Sequence, residues 1–292
     1  MSRRFAAEWL ALREPADAAA RARSPGSAAL ARRFAAALPR PARIIDLGAG
    51  TGANARALAP TIGGDQEWWL VDSDPALGAV PVTFPAAAGG CRQCRRLALD
   101  LGADWDRIAA MPADGVTCSA FLDLASAPWL ERLAAWLAER ELPFLAALSV
   151  DGRRQWSPPA PEDAAVQAAF RRHQGRDKGL GPALGDMAAT VIGDRLRTRG
   201  FAVTTAASDW RLGRADATLL AALAAGEAKA AAKAAPDRST AIAAWRARRL
   251  NEAAAGTLSV TIGHCDVLAL PPRICEKGPA THSGEAPPAD RL

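Results

Sequence analysis

The chain has 292 residues with 21 prolines and 24 glycines, enough for one large domain or two small ones. Half of it is nominally hydrophobic, but alanine supplies about a quarter of all residues and leaves little bulky apolar material for a core; tyrosine is absent, which excludes a tyrosine acid or base. The formal charge of +5 is spread among interspersed acids, the pattern of a solvated surface that attracts small anions more than of a nucleic-acid-binding stripe.

In chain order, residues 1 to about 40 read as two helices. Phe5, Trp9 and Leu12 repeat at helical spacing, as do Leu30, Phe34 and Leu38, with Ser24-Pro25-Gly26 between them. From Pro41 the pattern becomes alternating. Short apolar runs at 43–47, 68–72, 96–101, 115–119 and 142–150 read as five strands. A helix opens at Asn54, and an amphipathic helix covers about 128–140 with Leu130, Leu133, Trp136 and Leu137 on one face. Asp74-Pro75 reads as an N-cap and first helical residue. Beyond a polar segment starting at Asp151, helices are expected near 161–172 and up to Arg199, followed by a strand at 201–205. Alanine-rich helix then covers 216–235, where the AKAAAKAA stretch reads as exposed helix or linker. A last helix spans 239–254, and two β-rich runs lie within 257–270. The tail 271–292 reads as disordered. Strands alternating with helices imply a parallel sheet with right-handed crossovers.

The densest signal is Asp46-Leu47-Gly48-Ala49-Gly50-Thr51-Gly52, placed after a strand and before a helix. Glycines at alternate positions allow a sharp turn and a close backbone approach to a ligand, and the following helix offers free N–H groups. The dinucleotide fingerprint is G-x-G-x-x-G; this chain has G-x-G-x-G behind an acid. The motif resembles motif I of the class I S-adenosylmethionine-dependent methyltransferases. Asp72, which ends the second strand 20 residues after Gly52, stands where that family binds both ribose hydroxyls. Asp100-Leu101 stands where it contacts adenine, and Cys118-Ser119-Ala120 beside the methyl donor. The resemblance is close over about 41–151 and holds in element order beyond.

The resemblance implies S-adenosylmethionine as cofactor and a Rossmann-like, doubly wound α/β fold. Its sheet has seven strands, the last antiparallel and inserted between the fifth and sixth. Residues 1–40 would form a helical cap and 41–270 the methyltransferase domain, with helical insertions at about 152–182 and 208–255. Cofactor contacts are expected from Asp46, Gly48, Ala49, Gly50, Gly52 and Asn54 around the loop. Asp72, Ser73, Asp100, Leu101 and Ser119 follow at the strand ends.

For the acceptor, His173-Gln174-Gly175-Arg176-Asp177-Lys178-Gly179-Leu180-Gly181-Pro182 reads either as a polar, glycine-rich loop that closes over the site or as a solvated loop between helices. His173 or Asp177 could act as general base there, and Lys178 or Arg176 could bind an anion. Asp123 follows the fourth strand and is a third candidate base. Asp151 and Arg153 follow the fifth strand and are candidate substrate contacts, although Asp-Gly also reads as a turn. In the first helix Arg13, Asp17 and Arg21 lie four apart. They form either a salt-bridge ladder or a cap over the cofactor pocket with an arginine on its carboxylate.

Cys91 and Cys94 give half of a zinc spacing with no second pair, so no metal is expected. Cys118 lacks the Pro-Cys context of a covalent cysteine and reads as buried. No signal peptide or membrane span is readable, so a soluble, cytoplasmic protein is expected. The leading expectation is methyl transfer to an O or N atom of a small molecule. RNA methylation, with a phosphate face on the basic N-terminal helices and on Arg246, Arg248 and Arg249, is the alternative, and a non-catalytic cofactor-binding scaffold is a third.

Overall fold

The computed structural model describes residues 7–84, 90 and 92–275. Two helices come first, α1 (Ala7–Arg23) and α2 (Pro25–Ala37). They meet at Ser24, whose hydroxyl accepts from Ser27 N at 3.0 Å while Pro25 presets the first helical φ. The alternating part follows as β1 (Ala42–Leu47), α3 (Ala53–Ile62), β2 (Gln66–Asp72), α4 (Pro75–Gly78), β3 (Arg92–Ala98), α5 (Trp105–Ala109), β4 (Gly115–Ser119), α6 (Ala127–Glu139) and β5 (Phe144–Ser157). The remainder is α7 (Asp163–Gln174), α8 (Ala188–Arg197), β6 (Ala202–Ala207), β7 (Trp210–Leu212), α9 (Ala217–Ala234), α10 (Ser239–Ala254), β8 (Ser259–Leu270) and α11 (Pro272–Cys275).

The sheet runs β3-β2-β1-β4-β5-β8-β6, parallel through β5, with β8 antiparallel to both its neighbours. This is the expected Rossmann-like order with the closing strand between the fifth and sixth. Among the described residues the sheet has eight strands rather than seven, because the short β7 adds a strand beside β8, whose 12 residues take in both expected β-rich runs. The C-terminal half of β8 pairs with β6 and its N-terminal half with β7. Between them Ser208 is pinned to β8, its N–H donating to His264 O (2.9 Å) and its hydroxyl to Asp266 Oδ1 (2.6 Å).

The same long strand corrects the expected end of the fifth strand at Val150. Arg154–Ser157 pair with Ile262–Ser259, so β5 continues through the segment assigned to a polar loop. Two register irregularities, between Ala146 and Ser149 and between Val150 and Arg154, bend it on the way. Trp156 faces inward between exposed Gln155 and Ser157, the period-2 alternation of a half-covered strand. The third strand ends at Ala98 instead of Leu101, since Asp100 turns the chain: its Oδ1 accepts from Gly102 N (2.8 Å) and Ala103 N (2.9 Å).

Helices cover both faces. Leu130, Leu133 and Leu137 of α6 and Ile192 and Leu196 of α8 pack on one side, and Phe34 of α2 and Leu58 of α3 on the other. A further core lies over the extended β5, β7 and β8, built with α1, α7, α9 and α10. The AKAAAKAA stretch belongs to it. Ala228, Ala230 and Ala231 are buried with Lys229 and Lys233 outward, so the small side chains let α9 pack tightly instead of serving as an exposed linker. Arg249 is buried here too, stacked 5.6 Å from both Trp156 and Trp245. Its guanidinium donates to Asp163 Oδ1, and to Glu252 Oε2 and Pro158 O, each at 2.7 Å. It is therefore withdrawn from the phosphate-binding face expected of it, and neighbouring Arg248 pairs with Glu162 at 3.6 Å. Phe5, Cys91 and the tail beyond Cys275 lie outside the described residues.

Candidate functional site

The glycine loop joins β1 to α3. Gly48, Gly50 and Gly52 have φ of +65°, +53° and +84°, a region costly for other residues. A side chain at Gly48 would meet the Phe121 ring at 2.6 Å, and one at Gly50 would meet Leu10 at 3.0 Å. The loop is gripped from two sides. Asp72, at the end of β2, accepts from Gly50 N at 2.8 Å through one oxygen and from Asp74 N at 2.9 Å through the other. Arg96 of β3 donates to the carbonyls of Gly50 and Thr51, both at 2.9 Å. Arg96 drew no sequence reading; its signal is a cation in the interior of a strand. The expected Asp74 cap is present, its carboxylate accepting from Ala76 N at 3.0 Å.

Above the loop lies a cavity of about 450 Å³. Gly48, Ala49, Gly50, Thr51 and Asn54 form its floor, and Asp72, Ser73, Asp74 and Leu77 one wall. Leu101, Phe121, Leu124 and Leu180 make an apolar end next to Asp100. The roof is α1, which presents Leu10, Arg13, Glu14, Asp17, Ala18 and Arg21, the i, i+3, i+4, i+7 positions of one helix face. Helix α1 fully buries Ala16 and Ala20 and packs Trp9 and Leu12 partly against the core, and polar contacts add to this hold. Arg13 pairs with Asp17 (3.0 and 3.1 Å) and stacks 5.0 Å over Trp210, whose indole N–H also donates to Asp17 at 3.0 Å. Glu14 accepts from Arg56 at 3.0 and 2.6 Å. Arg21 donates to Asn54 Oδ1 and Ser119 Oγ, each at 2.9 Å. The sequence left ladder and cap as alternatives; Arg13 and Asp17 form the ladder pair and line the cavity as well.

Asn54 links this roof to the layer under the floor. Its amide donates to Asp46 Oδ1 (2.8 Å) and Thr117 Oγ1 (3.1 Å). Asp46 is fully buried, its second oxygen has no hydrogen-bond partner among the described residues, and it supports the floor without lining the cavity. Burial pushes its carboxyl up to about 7, against the pull of Asn54 and Arg21. Burial lowers the Arg21 guanidinium from its ordinary value, opposed by Asp266, Asp17 and Asp46. Ser119 lines the cavity, and next to it Ala120 holds a φ of +49°, fixed by its N–H donating to Ala147 O at 2.9 Å. A non-glycine residue in that region stores strain that the surrounding sheet must hold in place.

The other candidates are placed as follows. Gly52 caps α3 behind the floor, outside the cavity lining. Lys178 lines the cavity, and its ammonium donates to His173 O at 3.0 Å. His173 is buried at the end of α7, and Asp177 is exposed; neither lines the cavity. Asp151 and Arg153 also lie outside it, braced within the extended sheet. Arg153 donates to Asp151 at 2.8 Å and to Asp209, also at 2.8 Å, and so ties β5 to the start of β7. Asp123 sits on a short 3₁₀ turn, Leu122–Leu124, between the lining residues Phe121 and Leu124. Burial pushes its carboxyl up to about 6, partly offset by Arg13 and Lys178.

Raised carboxyls favour the protonated folded state. Their contribution to stability is full below the ordinary aspartate range and is lost as pH rises through about 6 for Asp123 and about 7 for Asp46. Buried His264 works oppositely. Burial lowers it to about 4, so its contribution is lost as pH falls from the ordinary histidine value towards 4. Carbon-13 carboxyl titration is expected to show two late transitions, near 6 and 7, that disappear singly in Asp123→Asn and Asp46→Asn. Transitions confined to the ordinary aspartate range would contradict this placement.

Cys118 is buried at the end of β4 and burial holds its thiol well above the usual range. It is expected to resist iodoacetamide in the folded protein and to react only after denaturation; fast native alkylation, read by mass spectrometry, would contradict this. Among the described residues no group of three or more His, Cys, Asp or Glu could hold a metal, and no helix is long and apolar enough to cross a membrane.

No family model matches the chain, and no curated protein matches it. Solved structures similar to it include a cyclopropane-fatty-acyl-phospholipid synthase-like protein from Lactobacillus casei, at 16% identity and TM-score 0.44, covering 88% of this chain and 99% of that one. Another is a SAM-dependent methyltransferase from Thiobacillus denitrificans in complex with S-adenosyl-L-homocysteine, at 15% identity and TM-score 0.36, covering 83% of this chain and 91% of that one. A third is a cyclopropane synthase from Mycobacterium tuberculosis, at 13% identity and TM-score 0.40, covering 83% and 82%. The fold assignment rests on the strand order of this chain itself.

Proposed function

We propose that the chain is an S-adenosylmethionine-dependent methyltransferase acting on an O or N atom of a small molecule. The observation that carries this reading is Asp72: a carboxylate at the end of β2, facing the cavity, with each oxygen fixed by one backbone N–H. Each oxygen keeps acceptor capacity, which suits a vicinal diol. The cavity volume falls within the range of small-ligand sites. Its two ends differ in the way the cofactor's two ends differ. The apolar end of Leu101 and Phe121 suits the base, and Arg21 with the polar floor suits the amino-acid carboxylate.

When bound, the cofactor supplies an already activated methyl group. The protein's own work is then to align the acceptor and to exclude water. Asp123 is the candidate for taking the acceptor's proton: it does not itself line the cavity, but it sits between the lining residues Phe121 and Leu124, where burial raises its carboxyl to about 6. Arg13 in the roof is the candidate for an anionic acceptor group.

The roof also favours a small acceptor over RNA, since α1 covers the cavity and Arg249 is not on the surface. The test is transfer from methyl-tritiated S-adenosylmethionine in cell extract separated into small-molecule and RNA fractions. Label in the small-molecule fraction is expected; label only in RNA would overturn the acceptor class.

A further inference from the structure

The loop after α7 was expected to close over the site and serve the acceptor; its placement sets it against the apolar end of the cavity. Residues 177–182 form a tight hairpin closed by a bridge between Asp177 and Pro182. Asp177 Oδ1 organises it, accepting from Gly179 N (2.7 Å) and Gly181 N (3.0 Å), while Lys178 anchors it to the end of α7 through His173 O. The hairpin rests on the two segments that make the apolar end of the cavity. On the β3 side, a methyl group placed on Gly102 would touch Gly179 O and Leu180 Cδ2, each at 3.4 Å. On the β4 side, Gly181 (φ +85°) lies so close to Ser126 that a Cβ would meet its hydroxyl at 3.0 Å. Leu184 N donates to Ala125 O at 2.9 Å just beyond. Leu180 is thereby half-buried on the cluster of Leu101, Phe121 and Trp129 and lines the cavity with Leu101 and Phe121.

We infer that this hairpin is the outer wall of the base-binding end of the cofactor site, with Leu180 as the side chain that covers the base. The inference rests on the proposed cofactor reading and deepens it. A flat heteroaromatic base gains most from apolar surface on its faces, and Leu180 is contributed by the β5–β6 insertion, separate from the strand-end loops that supply Leu101 and Phe121. Asp177 is then a positioning residue, holding the backbone that presents Leu180.

The test compares two probes by calorimetry: S-adenosylhomocysteine, and 5′-methylthioadenosine, which has the base and ribose but no amino-acid part. Leu180→Ala is expected to weaken both by the same factor, about tenfold for a half-buried leucine contact. Leu180→Met, which restores apolar volume, is expected to stay within about twofold. Arg21→Met is expected to weaken S-adenosylhomocysteine and leave 5′-methylthioadenosine unchanged. Gly181→Ala, which displaces the hairpin against Ser126 without touching the leucine, is expected to reproduce the Leu180→Ala loss. Thermal melts confirm that each variant is folded. If the unaltered protein binds both probes and neither Leu180→Ala nor Gly181→Ala changes them, the hairpin does not cover the base and the inference falls while the cofactor reading stands. If the unaltered protein binds neither probe, the cofactor reading falls and takes the inference with it.

Discussion

Asp72→Ala is expected to weaken S-adenosylhomocysteine binding by between about tenfold and a hundredfold, the scale of one to two charge-assisted hydrogen bonds. Two losses combine. The ribose hydroxyls lose their acceptor, and the glycine loop loses the carboxylate that holds Gly50 N at 2.8 Å and Asp74 N at 2.9 Å. Asp72→Asn separates them, because it keeps one carbonyl acceptor while weakening the other contact, and is expected to fall between the two. Overall stability should change less than binding, since Arg96 still clamps the loop through the carbonyls of Gly50 and Thr51. Calorimetry and urea unfolding on the same preparations check both halves. Unchanged affinity in folded Asp72→Ala protein would remove Asp72 from the site.

Arg249→Met is expected to lower unfolding free energy by about 3 kcal/mol, read by urea denaturation, at the lower end for breaking a buried ion pair. The guanidinium is fully buried between Trp156 and Trp245, and its removal leaves Asp163 and Glu252 facing an apolar side chain. Those carboxylates keep 24% and 18% exposure, which lets water reach them and holds the cost to that lower end. Arg249→Lys keeps a charge but not the forked donors, and a smaller loss is expected. Cofactor binding should stay within about twofold, because Arg249 lines no part of the cavity. A loss below about 1 kcal/mol would show that α10 is held by its apolar face alone.

The glycine loop, the acid spacing and the strand order were legible because each is a local pattern: a turn needing positive φ, an acid closing an apolar run, five runs separated by helices. What escaped the sequence depends on partners far along the chain. The fifth strand ran past Val150 because β8, more than a hundred residues later, is long enough to pair with Arg154–Ser157. The alanine-rich stretch of α9 reads as solvated from composition, but small side chains also suit close helix packing, and α7 and α10 supply the partners. At the site, Asp46, Asp72 and Asp100 came from the family resemblance, whereas Arg96 holds the loop through a contact that no spacing announces. The charged face of α1 was visible as Arg13, Asp17 and Arg21; that it roofs a cavity follows only once Arg21 reaches Asn54 and Ser119.

Calorimetric titration of the unaltered protein with S-adenosylhomocysteine tests the central claim most directly. One saturable site with affinity in the micromolar range, accompanied by a higher melting temperature at saturating ligand, is the result expected of this cavity. No heat of binding and no shift in melting temperature would contradict it.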